Sequence, residues 1–158
     1  MNRRILLLGL GNILLQDEGL GVRAVERLMA AYRLPPEVQA MDGGVMGLDL
    51  LPYMEGATDL LILDAVQTGQ QPGSLVRLEG EAIPTALSLK MSLHQVGLHE
   101  LLALASFQGT LPSRVVLWGL EPASFEWGVQ LSEQIASQID ALVEAAVAEL
   151  RDWGVVLA

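Results

Sequence analysis

Residues 4–22 read Arg-Ile-Leu-Leu-Leu-Gly-Leu-Gly-Asn-Ile-Leu-Leu-Gln-Asp-Glu-Gly-Leu-Gly-Val. The first seven form a nearly unbroken aliphatic run that stops at a glycine turn, the pattern of a strand buried on both faces. After the turn, Gly19–Leu34 carries Val22, Val25, Leu28 and Met29 at helical spacing with Arg23, Glu26 and Arg27 between them, and Pro35-Pro36 stops it. This predicts an amphipathic helix. A buried strand, a glycine turn and a helix make the opening unit of an α/β fold.

The alternation continues outward. Glu37–Asp42 reads as a short strand ending in Asp42-Gly43-Gly44, and Val45–Met54 as a short helix. Leu60–Leu63 is a second buried aliphatic strand, closed by Asp64, and Ser74–Leu78 after Pro72-Gly73 reads as an edge strand. Ser92–Phe107 is helical, with Leu98, Leu101, Leu102 and Ala105 on one face. Arg114–Trp118 is a strand ending at Gly119, and Ser132–Trp153 a long closing helix. Strands alternating with helices through short turns predict a three-layer single α/β domain over 1–158, with a mostly parallel twisted sheet of about five strands. No linker, repeat or low-complexity tract interrupts it.

Composition narrows the chemistry. The chain has 158 residues, 51% of them hydrophobic and 18% charged, which excludes an intrinsically disordered polymer. A net charge of -10 disfavours nucleic acid and anionic membrane surfaces as partners. Cysteine is absent, so disulfides, thiolate zinc sites, iron–sulfur clusters and thiol nucleophiles are excluded. Any metal must be held by carboxylates, backbone or the two histidines, His94 and His99. The apolar run after Arg3-Arg4 is too short for a signal peptide, and no stretch approaches a bilayer span, so a soluble cytoplasmic protein is expected.

Position singles out the polar residues. In open α/β sheets ligands bind outside the carboxyl ends of the strands, where strand order reverses. Glu18, Asp42 and Asp64 each follow or close a strand, so parallel pairing brings them to one edge. Asp64 is the hardest to explain structurally, because a charge closing so apolar a run costs desolvation unless partnered. Asp17 reads equally well as an N-cap of the first helix, and Asp42 as a turn residue bonding its own backbone. His94 starts a helix beside Ser92 and can face the same cleft. His99 is expected to face solvent with Glu100 and takes no role. Two carboxylates and an imidazole suit a borderline divalent cation with open positions for substrate, which leaves the metal unnamed.

Two other readings fail. Gly9-Leu10-Gly11 suggests a dinucleotide turn, but the third glycine is replaced by Leu14, and Asp17-Glu18 stand where pyrophosphate would sit. Ser92 precedes His94 without a nucleophile elbow or a third triad member.

The segment Gly9–Val22 closely resembles the N-terminal signature of the hydrogenase maturation endopeptidases. The likeness continues in register through Met41-Asp-Gly-Gly44, Leu61-Ile-Leu-Asp-Ala65, Ser92-Leu-His-Gln-Val-Gly-Leu98 and Trp118-Gly-Leu-Glu-Pro122. One departure is Val45, where many members have Thr. The resemblance implies an endopeptidase that removes the C-terminal extension of the [NiFe]-hydrogenase large-subunit precursor after nickel insertion. It implies Glu18, Asp64 and His94 as metal-binding residues, and Asp42, Gly43 and Gly44 as a substrate-recognition segment. Nickel would be supplied by the precursor, with zinc or cadmium able to occupy the site in vitro, and the protein is expected to be a monomer. The class is aspartyl-type or metal-dependent, with the general base unassigned. Water attack on the metal-polarised carbonyl is the expected chemistry. The acidic surplus suggests docking against a basic C-terminal extension. A nickel-sensing chaperone without proteolytic activity is the alternative.

Overall fold

The computed structural model describes residues 3–83 and 93–158, with 93–96 described by their backbone alone. Strands β1 (Ile5–Leu10), β2 (Val38–Gly44), β3 (Asp59–Ala65), β4 (Leu75–Glu79) and β5 (Arg114–Leu120) form one sheet in the order β2-β1-β3-β5-β4. Four strands are parallel, and β4 pairs antiparallel with β5 at the edge. The helices are α1 (Leu20–Ala31), α2 (Leu51–Met54), α3 (Leu93–Gln108), α4 (Glu133–Ala136) and α5 (Ile139–Asp152), with 3-10 turns at Gln16–Gly19 and Gly47–Leu50.

Side-chain alternation divides the core in two. Ile5, Leu7, Leu61, Leu63 and Val116 point to a face covered by α1 and α5. Leu6, Leu8, Leu60, Ile62 and Leu117 point to the opposite face, under α2 and α3. The central strands are buried on both sides because each face has its own helical layer, which is why β1 and β3 read as continuous aliphatic runs. The predicted three-layer α/β architecture with five strands is the observed one.

Glycines set how closely α1 approaches the sheet. A Cβ on Gly9 would come 2.5 Å from the Gly21 carbonyl oxygen. One on Gly21 would overlap the Leu63 carbonyl and lie 2.7 Å from that of Leu10. The first turn of α1 therefore rests on the carboxyl ends of both β1 and β3.

Buried carboxylates tie the periphery to this frame. Glu149 on α5 accepts from Arg77 Nε (2.8 Å), Trp118 Nε1 (2.8 Å) and Trp153 Nε1 (2.9 Å), joining β4, β5 and the helix end. Asp17 is fully buried and accepts from the backbone N–H groups of Ala123, Ser124 and Ser132 and from the Ser132 hydroxyl, at 2.8–2.9 Å. Glu121 accepts from Thr68 N (2.8 Å), Thr68 Oγ1 (3.0 Å) and Gln70 N (3.0 Å), pinning the loop after β3.

Several local expectations are corrected. Asp17 does not cap α1, whose N-cap is Gly19 without a side-chain bond, because its carboxylate is committed to the 123–132 loop. The helix predicted over Gly19–Leu34 is shorter, and Met29 is half exposed rather than inward. The single closing helix is two. Ser132 caps α4 while bonded to Asp17, the chain turns at Ser137-Gln138, and α5 then runs along the sheet. Strand β2 continues through Asp42-Gly43-Gly44, with a register shift opposite Gly9/Leu10.

Two stability measurements probe these ties. Gly21→Ala forces backbone apart at the strand ends and is expected to cost about 3 kcal/mol, the upper range for overpacking, read as a lowered Tm. Glu149→Gln removes the charge and one of the two oxygens that Arg77, Trp118 and Trp153 share, and is expected to cost on the order of 1–3 kcal/mol. The Arg77 hydrogen bond, with smaller help from Trp118 and Trp153, outweighs burial and holds the Glu149 carboxyl below its ordinary value. Its contribution to stability is therefore complete above the ordinary glutamate pKa and is lost as pH falls through the lowered folded value. Denaturant melts across the acidic range should show a smaller acid-induced loss in the glutamine variant than in wild type.

Candidate active site

The connection after β1 leads to β2 on one side and the connection after β3 leads to β4 and β5 on the other, so the crevice of this sheet lies between the carboxyl ends of β1 and β3. Glu18 and Asp64 both stand there. Glu18 belongs to the 3-10 turn that follows β1, and it is buried. Its backbone is seated on Gly11, whose φ of +124° and lack of a Cβ leave room for the Glu18 carbonyl. Asp64 is fully buried in β3, one residue past the Gly9–Leu63 pairing, and its Oδ1 accepts from Ala65 N at 2.8 Å. The two acids are 46 positions apart in the numbering yet occupy adjoining strand ends.

His94 is the second residue of α3. The helix reaches the same edge because Gly97 crosses the Gly47 turn, where a Cβ would lie 3.2 Å from Gly47 Cα. Leu98, one turn after His94, is buried and lines a small crevice with Leu10, Gly44 and Leu50. The backbone of His94 thus starts its helix beside the ends of β1 and β2. Its side chain, like Ser92, lies outside the described residues. Among the described residues, no three His, Asp or Glu side chains form a cluster able to hold a cation.

The Asp42-Gly43-Gly44 segment forms the other wall. Asp42 is exposed at the end of β2, opposite Gly9. Gly43 is packed under Leu10, and Gly44, at φ +46°, presents its carbonyl to Gly11 N at 2.9 Å. These glycines are conformational and packing residues of the wall, and the carboxylate of Asp42 is its chemical group.

Asp17 and Glu121 flank the crevice as structural acceptors: donors reach both oxygens of Asp17, and three donors converge on Oε1 of Glu121. Glu121 escaped the sequence reading, although it closes the aliphatic strand β5 as Asp64 closes β3. The same desolvation argument applies to it, and its burial against three donors is the answer.

A mostly apolar cavity of about 280 Å³ lies elsewhere, between α3 and the Gly80-Glu81 turn near the start of β5. His99 lines it, with Nδ1 buried and without a hydrogen-bond partner. The expectation that His99 faces solvent is thus corrected: the helix turns it towards Leu102 and Val115, which leaves Glu100 exposed.

Comparison with known proteins shows the family. A family model described as hydrogenase maturation protease matches residues 22–149. The hydrogenase expression/formation protein HupD of Rhodobacter capsulatus is 45% identical over 154 residues, covering 96% of this chain and 73% of the relative. The hydrogenase 2 maturation protease of Escherichia coli is 40% identical over 153 residues, covering 96% and 93%. Among solved structures, the hydrogenase maturating endopeptidase HybD from Escherichia coli superposes with a TM-score of 0.93 at 39% identity, covering 98% of this chain and 96% of that one. A [NiFe] hydrogenase maturation protease from Thermococcus kodakarensis matches at 26% identity and a TM-score of 0.77, covering 92% and 97%. With the family model spanning most of its length and the fold shared throughout, this chain belongs to the hydrogenase maturation protease family.

Proposed function

We propose that this protein is the endopeptidase that removes the C-terminal extension of a [NiFe]-hydrogenase large-subunit precursor once nickel has been inserted. Glu18, Asp64 and His94 contact that nickel. The observation that carries the reading is the convergence of two buried carboxylates on adjoining strand ends at the switch point of the sheet, with α3 starting beside them. Family membership supplies the protease activity and the hydrogenase as its object; the nickel contact, the site residues and the released segment are our additions.

The donor set suits the task. Carboxylate and imidazole accept nickel, zinc or cadmium, and the chain has no thiolate with which to retain a soft ion tightly. A metal already held by the precursor's cysteines would be completed, rather than owned, by these three side chains. Held between the precursor and these side chains, nickel would supply Lewis-acid polarisation of the scissile carbonyl. An edge carboxylate accepts the proton of the attacking water. Asp42, with the Gly43-Gly44 turn behind it, receives the precursor segment entering from the β2 side. No described helix is long and apolar enough to cross a membrane, and we place the reaction in the cytoplasm with the protease as a monomer.

Intact mass of a large subunit co-expressed with this protein, with and without nickel in the medium, tests the reading. Loss of the extension only in the nickel-fed culture is expected. Equal cleavage in both cultures contradicts nickel sensing, and an unchanged mass in both identifies a chaperone. Asp64→Asn and His94→Ala are expected to lower processing at least a hundredfold while leaving the circular dichroism melt within a few degrees of wild type.

A further inference from the structure

The carboxyl edge is flanked by apolar side chains that the fold holds out to solvent. Gly128 N donates to the Leu14 carbonyl and Gln16 N to that of Gly128, each at 2.9 Å, so the 127–129 segment lies along the turn that carries Glu18. On this short ladder Trp127 is 79% exposed, Val129 59% and Leu14 50%. Across the crevice, after Gly44, stand exposed Val45 and Met46. Exposure of a lone apolar residue needs no explanation, but a cluster beside a reaction centre marks a contact face.

The Trp127 segment is firmly anchored. Asp17 holds both ends of its loop, at Ala123-Ser124 and at Ser132, and Arg23 donates to the Val129 carbonyl at 3.0 Å. A rigid, exposed tryptophan presents a large contact area at little entropic cost, which is the character of an interface anchor.

Charge points to the partner. Two exposed carboxylates, Asp42 at the end of β2 and Glu126 beside Trp127, face solvent at this edge. The described arginines are placed elsewhere or are already paired. Arg3, Arg4 and Arg114 sit at the amino ends of the strands. Arg23 and Arg27, on α1, pair with Glu26 and Asp140. The field at this edge therefore attracts a cationic surface.

We propose that Leu14, Trp127 and Val129, with Val45 and Met46 opposite, form the face on which the protein substrate docks. They receive an apolar segment flanked by lysine or arginine. This rests on the function proposed above and names the surface of the precursor that this edge recognises.

Trp127→Glu tests it. Trp118 and Trp153 are bonded to Glu149 within the fold, so the exposed tryptophan signal belongs to Trp127. Titrating nickel-loaded precursor into the wild-type protein is expected to shift Trp127 emission to the blue. In Trp127→Ala and Trp127→Glu, KM for processing is expected to rise at least about tenfold, with kcat within twofold and the melting temperature unchanged. Raising ionic strength is expected to raise the wild-type KM. A Trp127→Glu variant with wild-type KM overturns the proposal. So does a wild-type dimer that Trp127→Glu converts to monomer, which would assign the face to a second copy of this chain. Should wild-type protein bind the precursor with the emission shift yet never cleave it, the docking face stands and the proteolytic reading falls.

Discussion

Glycine contacts between the first turn of α1 and the ends of β1 and β3 govern the arrangement of everything at the carboxyl edge. Gly9 and Gly21 bring helix backbone against strand backbone at a distance that no side chain would permit, and Gly11 makes room for the carbonyl of Glu18. Because α1 cannot retreat, the turn before it must fold over the strand ends and deliver Glu18 into the crevice beside Asp64. The glycine spacing that in nucleotide-binding folds makes room for pyrophosphate here makes room for the protein's own acidic turn.

A chain with a net charge of -10 must also decide which buried carboxylates do chemistry and which hold structure. Asp17, Glu121 and Glu149 each accept three or more hydrogen bonds from backbone, hydroxyl, indole or guanidinium donors. Desolvating a carboxylate is tolerable under such conditions, and the return is a rigid edge: one loop tied by Asp17, another by Glu121, the antiparallel strand by Glu149. Asp17 faces the 123–132 loop and fixes the turn, while Glu18 follows it into the crevice.

Much of this was legible in the sequence because it rests on periodicity and chain order. Aliphatic runs identified β1 and β3, proline and glycine ended the elements, and parallel topology brought Glu18, Asp42 and Asp64 to one edge. Other features depend on partners distant in sequence and left no local signal. Asp17 has the composition of a helix cap, and only the approach of residues 123–132 shows that it bonds elsewhere. The break between α4 and α5 is invisible to helical spacing, since Ile135 and Ile139 keep their periodicity across it. His99 reads as solvent-facing beside its polar neighbour, whereas packing of α3 on β5 turns it inward.

We propose that a protease without thiolates recognises nickel by adding oxygen and nitrogen donors to a metal the precursor already holds. X-ray absorption at the nickel edge reads that contact directly, on a loaded precursor whose scissile peptide has been altered so that the complex persists. Addition of this protein is expected to introduce oxygen or nitrogen neighbours into the sulfur-rich shell, and substitution of Asp64 by Ala to reduce them. A nickel spectrum unchanged by binding would show that these side chains do not touch the metal.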